Sequence, residues 1–270
     1  MLKFRQILES EIQQLQNFPP EEWNLDLPRL FTFHLNQPYF YPLVAEADGR
    51  IVGCGISIIH GAIGWLGTII VVPEYRRQGI GQKITSTLID YCRKHGCTSF
   101  VLTSSEMGEQ IYRKLGFELH ATYFFYKRES IVPIQDVSNV RKMRKEDFHT
   151  VKDLDREATG EDRFHFIKRF FPAGWIYTSG TSAGITGFYL PDLGGGLIIA
   201  RTADAGIELM KVRLNRGKKS AVVPETNTIA REFLISEGFQ KYDRSPRMIL
   251  GDKVNWEPTM MYNRATGYCG

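Results

Sequence analysis

The chain has 270 residues, with 34 Lys plus Arg against 30 Asp plus Glu, 43% hydrophobic residues, 24% charged residues and four cysteines. That composition excludes a disordered, collagen-like or disulfide-scaffolded chain, and at about 100 to 200 residues per domain the length fits one large domain or two of near-equal size. The net charge of +4 is spread in short pairs such as Arg76-Arg77 and Lys127-Arg128, so no nucleic-acid partner is expected.

The opening MLKFRQILESEIQQLQ mixes charges into its first turns and has no apolar leader region. No later stretch approaches the roughly 18 apolar residues of a membrane span, so a cytoplasmic protein without a membrane partner is expected. Cys54, Cys92, Cys97 and Cys269 form no CxxC and have no His at metal-ligand spacing, which predicts reduced thiols and no metal.

Strand-like and helix-like stretches alternate through the first 128 residues, the pattern of an α/β chain. Phe40 to Glu46 and Arg50 to Ile59 flank an Asp48-Gly49 turn signal as a hairpin, and Trp65 to Val72 follows a connection bearing Gly61 and Gly64. From Gly79, apolar Ile80, Ile84, Leu88, Ile89 and Cys92 recur at helical spacing until His95-Gly96. Phe100 to Leu102 reads as a short buried strand. A second helix carries Ile111, Tyr112 and Leu115 and stops at Gly116, and Tyr123 to Tyr126 is a last strand.

Residues 129 to 138 break the pattern with a proline and read as a linker, after which the plan starts again. Val222-Val223, Asn227, Leu234 and Gly238-Phe239 repeat the spacing of Phe100-Val101, Ser105, Tyr112 and Gly116-Phe117 at an offset of 122, which predicts an internal duplication. Asn255 to Gly270 show no period and are expected to be a tail packed on the second half.

The informative stretch is residues 65 to 89, WLGTIIVVPEYRRQGIGQKITSTLI, where a β-run ends at Val72-Pro73 and Arg76-x-x-Gly79-x-Gly81 opens the long helix. A helix start offers N–H groups without internal acceptors and a partial positive charge, and glycines remove the Cβ atoms that would hold an anion away, so the segment suits a pyrophosphate. For the glycines alone, a turn that lets a helix pack closely on a sheet is the competing reading. GxGxxG would need glycine at Ile84, and a P-loop would need Gly-Lys-Ser/Thr where the chain has Gln82-Lys83-Ile84, so both nucleotide loops are set aside.

Val71-Val72-Pro73-Glu74-Tyr75-Arg76, with the glycine pattern after it, resembles the strand-loop-helix motif of the GNAT superfamily of acyl-CoA-dependent N-acyltransferases. Gln110-Ile111-Tyr112-Arg113-Lys114-Leu115-Gly116-Phe117 resembles that family's second segment, Leu-Tyr-x-Lys-Leu-Gly-Phe. The resemblance covers residues 40 to 128, and Gly160-Glu161-Asp162-Arg163 with the long tail is similar to tandem members that pair a catalytic module with a divergent one.

The resemblance implies an α/β fold (α+β by some schemes) of two modules, each a mixed, mainly antiparallel sheet flanked by helices. Residues 1–130 would be the catalytic module, 131–138 the linker and 139–270 the degenerate copy with its tail. It implies transfer of an acetyl group from acetyl-CoA to the amine of a small molecule or peptide by direct attack. Backbone groups of Ile69, Ile70 and Val71 would pair with the pantetheine arm of CoA. Arg76, Arg77, Gln78, Gly79, Ile80, Gly81 and Gln82 would hold its pyrophosphate, and Ser105 stands where many members have an Asn that touches pantetheine. Tyr112 would be the general acid for the leaving thiolate. Glu46, His60, Glu106 or a water relay is available as base, the three side chains also reading as solvated surface, and Cys54 reads as core. In the second half Asp204 replaces the first glycine and Leu234 replaces Tyr112, which predicts loss of the chemistry there; Gly194-Gly195-Gly196 reads as a turn. The competing function is a CoA-binding regulatory or interaction module without catalysis.

Overall fold

The computed structural model describes residues 1–23, 25–130, 136–179 and 184–270, so the first five positions of the expected linker lie outside the described residues. The chain forms two compact units. In the first, β1 (Leu2–Gln6) pairs antiparallel with a later strand after a 3₁₀ turn over Glu9–Leu15 and the helix α1 (Leu27–His34). Asp26 caps α1, its carboxylate accepting from Arg29 N–H at 2.9 Å, with Pro28 in the first turn. The hairpin of β2 (Phe40–Ala47) and β3 (Arg50–His60) turns at Asp48 and Gly49, whose φ values of 49° and 79° suit a two-residue turn between twisted strands. β4 (Ile63–Val71) continues the antiparallel run, and Gly64, expected in the connection, lies within it.

The helix α2 (Ile80–Lys94) buries Ile80, Ile84, Leu88, Ile89 and Cys92, the face its spacing predicts. It lies close on β3, where a Cβ at Gly55 would stand 2.7 Å from Ile84 Cγ2. Each aliphatic side chain on that face contributes about 1.5 to 3 kcal/mol by its burial. β5 (Ser99–Thr103) pairs parallel with β4, and α3 (Glu106–Lys114) follows.

The next strand, β6 (Glu118–Lys127), belongs to the second unit from Leu119 onward. That unit continues through β7 (Val140–Lys142), α4 (Phe148–Thr159), α5 (Phe164–Ile167), β8 (Trp175–Thr178), β9 (Ile185–Leu190) and β10 (Leu197–Ala200). It then adds α6 (Ala203–Asn215), β11 (Ser220–Pro224), α7 (Thr228–Ser236), β12 (Gln240–Gly251) and β13 (Met261–Asn263). Five of its strands form a sheet in the order β13-β10-β9-β8-β7.

Two equivalent strands are exchanged between the halves of the chain. β6 pairs antiparallel with β11, Ser220 opposite Lys127 through Pro224 opposite Tyr123, and its Phe124 and Tyr126 join the core of Val223, Leu234 and Phe239. Reciprocally, Met248–Asp252 belong to the first unit, where Met248 joins the core of Phe100, Leu102 and Phe117, and Ser99 Oγ donates to Asp252 O at 2.9 Å. The cut at residue 130 expected from sequence follows the chain, whereas the compact units follow this exchange. Tyr126 and Met248 are 122 positions apart, so each is the other's counterpart. The residues from 255 onward are also more ordered than a tail without period implies, since they include β13 and a 3₁₀ turn over Pro258–Met260. Among the described residues no helix is long and apolar enough to cross a membrane.

Candidate active site

The site begins with an irregularity in β4. Ile56 pairs with Gly67 and Cys54 with Ile70, so Gly55 faces both Thr68 and Ile69, which is a β-bulge. Thr68 takes φ 50°, a strained conformation for a β-branched residue and one that persists only where its surroundings enforce it. β4 and β5 pair at Ile63–Ser99, Gly64–Phe100 and Trp65–Val101; among the described residues their ladder ends there, just before the bulge.

Antiparallel pairing alternates the direction of backbone groups, and this sorts the three predicted β4 residues. Val72 N–H donates to Val52 O at 3.0 Å, so Ile70, two residues away, also turns its groups to β3, while Val71 turns its groups to the open side. The Val71 carbonyl accepts Arg76 Nε–H at 3.0 Å. Ile69 sits in the bulge with Cγ1 against Gly55. Pairing with an incoming chain is therefore open to Val71 and closed to Ile70.

Beyond Val72 a 3₁₀ turn over Pro73–Tyr75 leads into Arg76, Arg77 and Gln78, all exposed. Arg77 has φ 61°, and Gln78 Nε2 donates to Glu74 O at 3.4 Å. Gly79 takes φ 79° as the N-cap of α2, and a Cβ there would meet nothing within 4 Å. Lys83 N–H makes the first bond of the helix, to Gly79 O, which leaves the N–H groups of Gly79, Ile80, Gly81 and Gln82 without a helical acceptor. Two arginines, four free donors and open space fit a pyrophosphate; from Pro73 to Lys83 the one acid is Glu74.

Gly81 faces Ile111 of α3, whose Cδ1 would lie 4.0 Å from an added Cβ, so α3 stands beside the head of α2. Tyr112, next on α3, is buried with its ring edge-on to Phe117 at 6.0 Å, and an added Cβ at Gly108 would lie 2.8 Å from its Cε2. Burial pushes its phenol up to about 12, so it carries its proton throughout the neutral range. Among the described residues its hydroxyl has no hydrogen-bond partner. Ser105 is the N-cap of α3, its Oγ accepting from Gly108 N–H at 3.3 Å. Ser105 thus spends an acceptor lone pair on its own helix and keeps its O–H as a donor.

The three residues weighed as base fall apart. Glu46 is held by Arg5 at 2.7 Å, His60 is buried at the end of β3, and Glu106 is exposed in the first turn of α3. Cys54 is fully buried, its thiol pushed up to about 12 by burial, as suits a core residue. None of the four cysteines forms a disulfide. In the second unit Asp204 lies in the first turn of α6, which Thr202 caps, and Leu234 is buried on α7. Sequence reasoning missed the Thr68 bulge, whose threonine carries no turn signal, and the small-residue contact of Gly108 with Tyr112.

Residues 6–117 match the acetyltransferase (GNAT) family and residues 151–263 match an acetyltransferase (GNAT) domain. The chain belongs to the GNAT acetyltransferases. Among curated relatives, the uncharacterized N-acetyltransferase YitH of Bacillus subtilis is 26% identical over 221 residues, 77% of each chain. The glucosamine 6-phosphate N-acetyltransferase of Trypanosoma brucei brucei is 35% identical over 82 residues, 28% of this chain and 56% of that protein. A solved structure from Pyrococcus horikoshii shares the fold with a TM-score of 0.85 at 21% identity, covering 100% of this chain and 96% of that one. A tandem GNAT protein from the clavulanic acid biosynthesis pathway gives 0.63 at 14% identity, covering 93% and 98%.

Proposed function

We propose that the first GNAT module transfers an acetyl group from acetyl-CoA to a primary amine by direct attack, with one donor site per chain. The observation that carries this reading is that a glycine-headed helix with four free N–H groups, the open edge of a bulged strand and a buried protonated tyrosine are neighbours. Backbone groups of Gly79 to Gln82, with Arg76 and Arg77, bind the donor's pyrophosphate, and Val71 pairs with its pantetheine arm.

As the amine nitrogen forms its bond to the acyl carbon, the carbon–sulfur bond breaks and Tyr112 gives its proton to the departing sulfur. The amine's own proton leaves to solvent, and Tyr112 regains a proton from water. Because the phenol must be protonated to act, and is so below about 12, this acid is present from pH 7 to 10 and is lost only as pH rises through that value. The relatives' names support an amine acceptor, since one acts on glucosamine 6-phosphate and another is described for an alanine of ribosomal protein bS18.

Thiol release from acetyl-CoA with a panel of amines tests the reading. Transfer, or slow hydrolysis, that disappears in Gly81→Asp is the expected result. Tight CoA binding with no thiol released by any amine would instead identify a regulatory CoA-binding module.

A further inference from the structure

In the second module the strands matching β4 and β5 are β10 and β11, and a third strand stands between them. β13 pairs antiparallel with β10, Ile198 opposite Asn263 and Ile199 opposite Met261. On its other side Arg264 N–H donates to Val222 O at 2.8 Å, and Val222 N–H donates to Asn263 Oδ1 at 3.0 Å, so the same segment also grips β11. Asn227, which matches Ser105, caps α7 through Oδ1 at 2.9 Å from Ala230 N and uses its remaining amide protons on Thr259 O and Met261 O at 2.9 and 3.0 Å. Asn263 Nδ2 donates to Gly196 O at 2.7 Å. At the head of α6 the ring of Tyr262 covers Gly206, leaving no room for a Cβ.

We propose that Thr259–Arg264 is a built-in occupant of the second module's cofactor slot, taking the place that the pantetheine arm takes in the first. This rests on the reading that pantetheine lies along the open edge of β4. Pantetheine is a chain with two amide groups, and it binds a strand edge by the same hydrogen bonds a peptide makes. β13 supplies those amides from within the chain, so it binds without the translational cost a free ligand bears. Tyr262 adds an aromatic cover over the helix head, and Asp204 in its first turn opposes an anion there. A CoA entering this slot would have to expel a strand bonded on both sides, together with the buried side chains of Met261 and Tyr262. The second module thus keeps the acyltransferase frame as a receptor for its own peptide.

Hydrogen exchange on the intact chain, with and without saturating CoA, tests this. The amides of Tyr262, Asn263 and Arg264 are expected among the slowly exchanging set and unchanged by CoA, while those of Gly79 to Gln82 slow when it binds. Asn227→Ser retains a capping hydroxyl and removes the amide that holds the segment, so exchange at residues 261–264 should rise about tenfold or more for two lost hydrogen bonds. Asn263→Ala, which leaves the α7 cap untouched, should act in the same direction. Rapid exchange of 261–264 in the parent chain, their release by CoA, or no change in either variant overturns the proposal. Absence of CoA protection at 79–82 alone would count against the first module's donor site and leave the built-in occupant standing.

Discussion

Ser105 and Asn227 occupy the same place in the two modules, each capping the helix after a short strand, but only Asn227 has an amide left over once the cap is made. In the first module the residue stops at the cap and the strands beside it part at the Thr68 bulge. In the second it reaches across to Thr259 and Met261 and fastens a strand into the corresponding gap. On the proposal above, the duplicated frame diverges through what fills one slot: an added strand, β13, in the second module and none in the first. The frames themselves still match closely. Arg5 forks onto Glu11, which also accepts from Leu8 N–H, and Arg141 forks onto Asp147, which also accepts from Arg144 N–H, at identical spacing 136 residues apart.

The largest expected effect is at the helix heads. Aligned on their N-caps, Gly79 and Thr202, the two helices place Asp204 opposite Gly81 rather than opposite the first glycine as the sequence pattern implied, so Gly81→Asp makes the first module resemble the second there; its Cβ has ordinary room, and the carboxylate repels pyrophosphate and blocks N–H donors worth about 1.5 to 3 kcal/mol each. Calorimetry should find CoA affinity lower by about 100-fold or more in a folded protein, whereas the reverse change, Asp204→Gly, should create no second site because β13 still fills the slot.

Next in size is Tyr112→Phe, which should lower kcat by roughly 100 to 10,000-fold and leave the CoA dissociation constant nearly unchanged. A full single-turnover rate in that variant would make Tyr112 a packing residue. Smaller again is the contrast between caps. Ser105→Ala removes a cap alone and should cost about 1 kcal/mol, and Asn227→Ala removes a cap and two further bonds and should cost about 2 to 4 kcal/mol in denaturant melts.

The smallest effect sharpens the match between the modules. Arg5→Gln and Arg141→Gln should each cost about 0.5 to 1 kcal/mol at neutral pH. The guanidinium holds Glu11 below its usual 4.5 and Asp147 below its usual 3.8. A carboxyl with a depressed pKa stabilises above its ordinary value, and that contribution is lost as pH falls through the folded-state value. The difference between parent and variant melting temperatures should therefore vanish in acid, and a difference that persists there would contradict the ion-pair account.

Features carried by neighbouring residues were legible in the sequence. Asp48-Gly49 specifies its hairpin locally, Gly79 and Gly81 announce the head of α2, and the spacing from Phe100 to Phe117 reappears from Val222 to Phe239. Features that depend on a distant partner were not. β6 and β12 stand at an offset of 122, directly after the matching Gly-Phe pairs, and nothing local tells which strand each will join. β13 is three residues long, too short to show a period, and its place is set by Asn227 and Val222, more than 30 residues away. The Arg5–Glu11 clamp repeats at 136, an offset that differs from the 122 of the later segments because the connections between them differ in length. Ser105 was legible as a departure from the family pattern, and its place just before an acidic first turn also suits a helix cap.

On the proposed reading, one slot of this tandem protein takes CoA and the other is filled by the chain itself. Titration calorimetry of CoA into the intact chain tests it most directly, and the prediction is one site per chain that disappears in Gly81→Asp. Two sites per chain, or a single site that survives that substitution, would contradict it.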